Sequence, residues 1–134
     1  MADLDINPVD VAPVYVVEQF TGPAAEKIDA GQYVRFDTAT GRIALGNATT
    51  ADEARKGGIA VSSAGTAGIT ITAVRKGLVN LGDVFGTFNY DQDIYLSDTD
   101  GALADAAGSV SLVVGTVVPA FGAVTPDKLL RVDL

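Results

Sequence analysis

Five aspartates, Asp91, Asp93, Asp98, Asp100 and Asp105, form the densest group of potential metal ligands in this 134-residue chain. Hard carboxylate oxygens of this kind suit calcium. A calcium-binding loop of the EF-hand type needs oxygen ligands two and four residues apart and then a glycine. Asp98 and Asp100 do precede Gly101, but Leu96 stands two residues before Asp98, so the pattern fails. Asp and Gly are also what a tight turn between strands requires, and a turn is the expected role of Asp98 to Gly101. A carboxylate pair of the glycosidase kind would want aromatic sugar platforms, and the chain has no Trp, four Tyr and five Phe.

Other chemistry is limited by what is missing. There is no His and no Cys. That removes the usual activating base of a serine or cysteine nucleophile, thiolate metal sites and disulfides. Ser62-Ser63 lies in Val-Ser-Ser-Ala-Gly, which lacks the glycines of a nucleophile elbow. Gly57-Gly58 and Gly65 to Gly68 are not followed by the Gly-Lys-Ser/Thr of a phosphate loop. Lys27, Lys56, Lys76 and Lys128 are scattered, and Arg55-Lys56-Gly57 and Arg75-Lys76-Gly77 are expected to be solvated residues at element ends. No enzyme activity, cofactor or metal is expected.

The net charge is −8, from 17 acidic and 9 basic residues. Such a surface repels phosphate backbones, so nucleic acid is not an expected partner; it suits solubility or docking on a basic protein surface. No run of 18 apolar residues suggests a membrane span. The N-terminal residues lack a basic segment followed by an apolar core, so no signal peptide is expected.

The elements expected to position these residues are nearly all strands. Residues 1–13 are expected to form an extended N-terminal arm. Pro8 and Pro13 oppose helix, and Leu4, Ile6, Val9 and Val11 alternate with Asp3, Asp5 and Asp10. Such an arm can order against a neighbouring subunit, which makes Leu4, Ile6, Pro8, Val9, Val11 and Pro13 the candidate contact residues. Residues 14–134 are expected to form one domain. Strands are expected over 14–20, 32–37, 42–45, 58–63, 69–74, 78–81, 93–97, 109–118 and 129–134, from β-branched and aromatic content and alternation. The last should bury Leu130, Val132 and Leu134 and expose Arg131 and Asp133. Pro119 and Pro126 bracket a loop. Thr50 with Glu53 three residues later has the form of a capping box, so one short helix is expected from Thr50 to Lys56, stopped by Gly57-Gly58.

A weak two-fold internal repeat runs through the domain. Gln32 to Phe36 and Gln92 to Leu96 align at an offset of 60; both lead to a turn glycine, Gly41 or Gly101, and leave through Ile43-Ala44 or Leu103-Ala104. A glycine-led strand follows each, Gly58 to Val61 and Gly115 to Val118. Two such units could pack face to face and close one all-β barrel or sandwich.

The order of these motifs resembles the capsid decoration (head cement) proteins of tailed bacteriophages. The residues that carry the resemblance are Ala30-Gly31-Gln32-Tyr33-Val34, Gly58-Ile59-Ala60-Val61, Gly77-Leu78-Val79, Ile94-Tyr95-Leu96-Ser97 with the turn to Gly101, Val114-Gly115-Thr116-Val117 and Leu129-Leu130-Arg131-Val132. It covers roughly residues 24–134, and the arm matches by position alone. The resemblance implies a small β-barrel or β-tulip-like domain on the outer surface of a virion, made in the host cytoplasm. Its implied partners are the major capsid protein and further copies of itself, as a homotrimer, and its implied task is to clamp neighbouring capsid subunits and stabilise the expanded head. The alternatives are a tail, baseplate or fibre component and, further off, a small carbohydrate-binding module.

Overall fold

The computed structural model describes residues 2–120 and 128–134. The loop residue Pro126 lies outside them. Among the described residues the chain is all-β, with nine strands: β1 (Val11–Pro23), β2 (Tyr33–Phe36), β3 (Ile43–Leu45), β4 (Gly58–Ala60), β5 (Thr70–Leu81), β6 (Asp93–Leu96), β7 (Leu103–Ala104), β8 (Val113–Pro119) and β9 (Lys128–Asp133). They form one curled sheet in the order β3-β2-β4-β5-β9-β8-β6-β7, every ladder antiparallel. β1 runs along the other edge of β5, from Val11 opposite Leu81 to Pro23 opposite Thr70.

The strand order is a palindrome: β3, β2, β4 and β5 match β7, β6, β8 and β9. Hydrogen bonds repeat with it. Asp29 and Asn89 each donate their backbone N–H to a glutamine three residues on, Gln32 or Gln92. The Ala60 N–H donates to Gln32 O, and the Val117 N–H to Gln92 O. The Asp37 N–H donates to Arg42 O, and the Ser97 N–H to Ala102 O. Gly41 and Gly101 both take φ 72°, and Asp91, which stands where the first half has the left-handed Gly31, takes φ 63°. Asp tolerates that conformation better than most side chains.

Two apolar clusters lie inside the curl. The larger draws on both halves, with Tyr33, Ile59, Val74, Leu81, Phe85, Ile94, Leu96, Leu103, Val117 and Leu130. The smaller joins Ala24, Ile28, Val34, Ile43, Ala60, Ala64, Ile71 and Ala73. β2 is therefore apolar on both faces, Tyr33 to one cluster and Val34 to the other. In β9 Leu130 and Val132 are buried and Arg131 and Asp133 exposed, and Leu134 just past it is buried, as the alternation predicts.

Two local expectations are corrected. The helix expected from Thr50 to Lys56 is a single turn. Thr50 does accept from the Glu53 N–H (3.3 Å) and the Ala54 N–H (3.0 Å). The Glu53 carboxylate, however, is held by Arg35 (2.7 Å) instead of reaching back to cap, and the chain enters β4 at Gly58. The one helical element among the described residues is a 3-10 turn, Pro8–Asp10, capped by Asn7. Arg75-Lys76-Gly77, expected to end a strand, lies in the middle of β5. Gly77 makes the strand continuous: at φ 144° it sits against the Tyr15 carbonyl, where a side chain would collide, and the register with β1 shifts around it.

Candidate contact surfaces

The arm residues divide by side. Ala2 to Leu4 lie along β7, with the Leu4 N–H donating to Leu103 O (2.8 Å) and the Asp105 N–H to Ala2 O (3.2 Å). The Ala2 N–H donates to the Asp105 carboxylate (2.8 Å), and the Ser97 hydroxyl to that of Asp3. Leu4, Ile6 and Val11 are half-buried against the chain's own larger cluster. Pro8 is half-buried, Pro13 is exposed and Val9 is 85 % exposed. Val11 and Pro13 belong to β1, so the arm proper ends before Val11.

An open depression of about 340 Å³ separates the arm from the body, lined by Asp3, Asp5, Asp29 and Asp100 among others. These carboxylates have local tasks. Asp100 accepts from the Asn47 amide (2.5 Å) and Asp3 from Ser97. Of the acidic group singled out in the sequence, Asp98 accepts from the N–H and hydroxyl of Ser109 (2.8 and 2.9 Å), and Asp105 holds Ala2. Among the described residues no three acidic side chains gather in a way that could hold a metal ion. Ser62 donates no proton to a base here; its hydroxyl accepts from the Thr72 N–H (3.0 Å).

A second surface was not visible in the sequence. β1 is thirteen residues long, and among the described residues no named strand pairs its outer edge before Ala24, just past its end, bridges Ile43 of β3. Tyr15 and Val17 are 62 % and 66 % exposed. With Lys76, Gly77, Leu78 and, from β9, Arg131 to Asp133, they line a shallow depression of about 270 Å³. Lys76 and Arg131 share one carboxylate, Asp133, at 3.0 and 3.7 Å. The Lys76 hydrogen bond, reinforced by the charge of Arg131, holds that carboxyl below its usual range. Further along β1, Phe20 packs at a tilt against Phe36 (4.8 Å between ring centres) and the Arg75 guanidinium lies over Phe20 (5.3 Å). The sequence pattern placed Tyr15, Val17, Leu78 and Arg131 to Asp133 on strands and left Arg75 to Gly77 between two of them, and only the sheet order brings β1, β5 and β9 side by side.

Tyr33 is the most perturbed titratable group described. Its hydroxyl donates to Arg55 O (2.6 Å) and accepts from the Gly57 N–H (2.9 Å). Burial pushes its pKa up to about 12, against the opposing pull of that N–H and of Arg75. The phenol fastens the Arg55–Gly57 segment to β2 and lines neither of the two depressions. No helix among the described residues is long and apolar enough to cross a membrane. Comparison with protein-family models, curated proteins and solved structures returns no match to this chain.

Proposed function

We propose that the chain is a structural virion protein of the capsid-decoration type. In this reading it binds the outside of a phage head as a homotrimer, bridges neighbouring major capsid subunits and stabilises the expanded shell. It has no catalytic role. What supports the reading is the order of the six motifs, now seen as the strands and turns of one sheet with two matching halves. The surface chemistry agrees with it. Open, shallow depressions and a β1 edge left open ahead of the Ala24–Ile43 bridge suit broad contacts with proteins better than capture of a small molecule, which favours concave, mostly apolar pockets. Weak contacts become useful when symmetry repeats them, because each further contact is then made at high effective concentration.

The test heats purified phage heads with and without the protein and images both. Raised particle melting, with three-fold density on the shell, is the expected result. Identical melting with density confined to the tail would reject the cement reading and favour a tail, baseplate or fibre component.

A further inference from the structure

We propose that the outer edge of β1, with the basic strip beside it, is a docking site for an acidic, extended polypeptide segment that adds to the sheet as a further strand. The first observation is the edge itself. Exposed edge strands are normally blunted by charges, prolines or bulges, because a bare edge recruits other strands; the prolines of β1 stand toward its ends, at Pro13 and Pro23, and its register shifts fall between Pro13 and Gln19. β1 carries a single charged residue, Glu18, in thirteen, and exposes Tyr15, Val16 and Val17 in a row. Edge addition supplies main-chain hydrogen bonds, and side-chain neighbours supply the choice of partner.

The second observation is charge. The chain carries −8 overall, yet cations collect on the strands behind this edge, Arg75 and Lys76 on β5 and, across it, Arg131 on β9 and Lys56 just before β4. Lys76 and Arg131 both lie on Asp133, Lys56 is close enough to act on the same carboxylate, and Arg75 lies over Phe20 with its guanidinium on the Gly57 and Lys56 carbonyls. The carboxylate that Lys76 and Arg131 share is Asp133, and the one charged residue of β1, Glu18, stands opposite Lys76 in the register. A strand added to β1 runs about 4.8 Å from it and about twice that from β5. Glutamate side chains of the new strand, reaching over Tyr15 and Val17, can meet Lys76 within that gap.

The same two observations select the occupant. Pairing β1 with β1 of a second copy would bring two cation-rich strips together. It would also need a flat edge, whereas the β1 register shifts three times between Pro13 and Gln19, and such bulges twist a strand. A short free segment can follow that twist. This inference stands on the surface alone and holds whether or not the capsid reading does.

The experiment uses the isolated full chain, isotope-labelled, and a capped eight-residue peptide of alternating Glu and Val, with the Lys-Val counterpart as control. At saturating Glu-Val peptide, amide exchange over Val14 to Gln19 should slow at least tenfold, with no slowing by the Lys-Val peptide. In the K76E/R131E variant, whose folding is checked by its own amide spectrum, the preference should reverse. Absence of protection by the Glu-Val peptide, or equal protection by both peptides, would overturn the proposal. So would protection that grows with protein concentration and no peptide, which would assign the edge to a second copy.

Discussion

Burial of Tyr33 places a phenol where only its neutral form is comfortable, and that couples folding to alkaline pH. The unfolded side chain titrates near 10, while in the folded chain its pKa is raised to about 12. A raised pKa means that its contribution is intact below pH 10. It is lost as pH climbs from 10 to 12, because the unfolded chain ionises first. Two pKa units correspond to about 2–3 kcal/mol. Tyr33→Phe removes this dependence but strands the buried Gly57 N–H and the Arg55 carbonyl, at a cost of about 1–3 kcal/mol at neutral pH. Denaturant titration of both proteins at pH 7 and pH 12 should therefore show the variant weaker at pH 7 and the gap narrowed or closed at pH 12. A gap that stays constant would mean that the phenol ionises freely in the native state.

At the scale of elements, alternation made most strands legible. Val34 in β2, Ile94 in β6 and Leu130 in β9 stand at inward positions where period-two patterning places them. The breaks were less legible, because they depend on contacts distant in sequence. Arg75-Lys76-Gly77 looks like a strand end until β1 is laid alongside it. The capping box at Thr50 looks like a helix until Arg35 takes Glu53. The candidate surface was hidden for the same reason, since Tyr15, Lys76 and Arg131 meet only through the sheet order. The arm residues were picked out by their alternation, and the body's own cluster now accounts for the half-burial of Leu4, Ile6 and Val11. The two halves also make a matched prediction. Gly58 opposes Val34 and Gly115 opposes Ile94, and a Cβ at either would run into a backbone carbonyl, Val74 O or Arg131 O. A ladder cannot yield as a side-chain tip can. Gly58→Ala and Gly115→Ala should each cost about 3 kcal/mol or more, at the upper end for overpacking, whereas Gly65→Ala, which meets nothing within 4 Å, should be nearly neutral. Thermal melts of the three variants decide this, and a mild effect at Gly115 would show that β8 and β9 can part without loss.

For the whole molecule, the question is whether two similar halves fold as two units or one. Similar halves would be independent if each closed its own core. The smaller cluster does lie wholly within the first half. The larger does not: Tyr33, Ile59 and Val74 share it with Ile94, Leu96, Leu103 and Val117. Backbone bonds also cross between halves. The Tyr33 N–H donates to Gly101 O (2.9 Å), the Gly101 N–H to Gly46 O (2.7 Å) and the Ala48 N–H to Ser97 O (2.8 Å). Separating the halves would leave these groups without partners and expose one wall of the main cluster, whereas a chain of this length has little stability to spare. β5 adds a further tie, since the same strand pairs β4 of the first half and β9 of the second. The chain should therefore unfold in one transition, with equal calorimetric and van't Hoff enthalpies, and a fragment of residues 1–86 should stay unfolded despite holding the whole smaller cluster. A well-dispersed amide spectrum from that fragment, or two calorimetric peaks from the full chain, would show that the first half carries its own fold and that the shared cluster forms only afterwards.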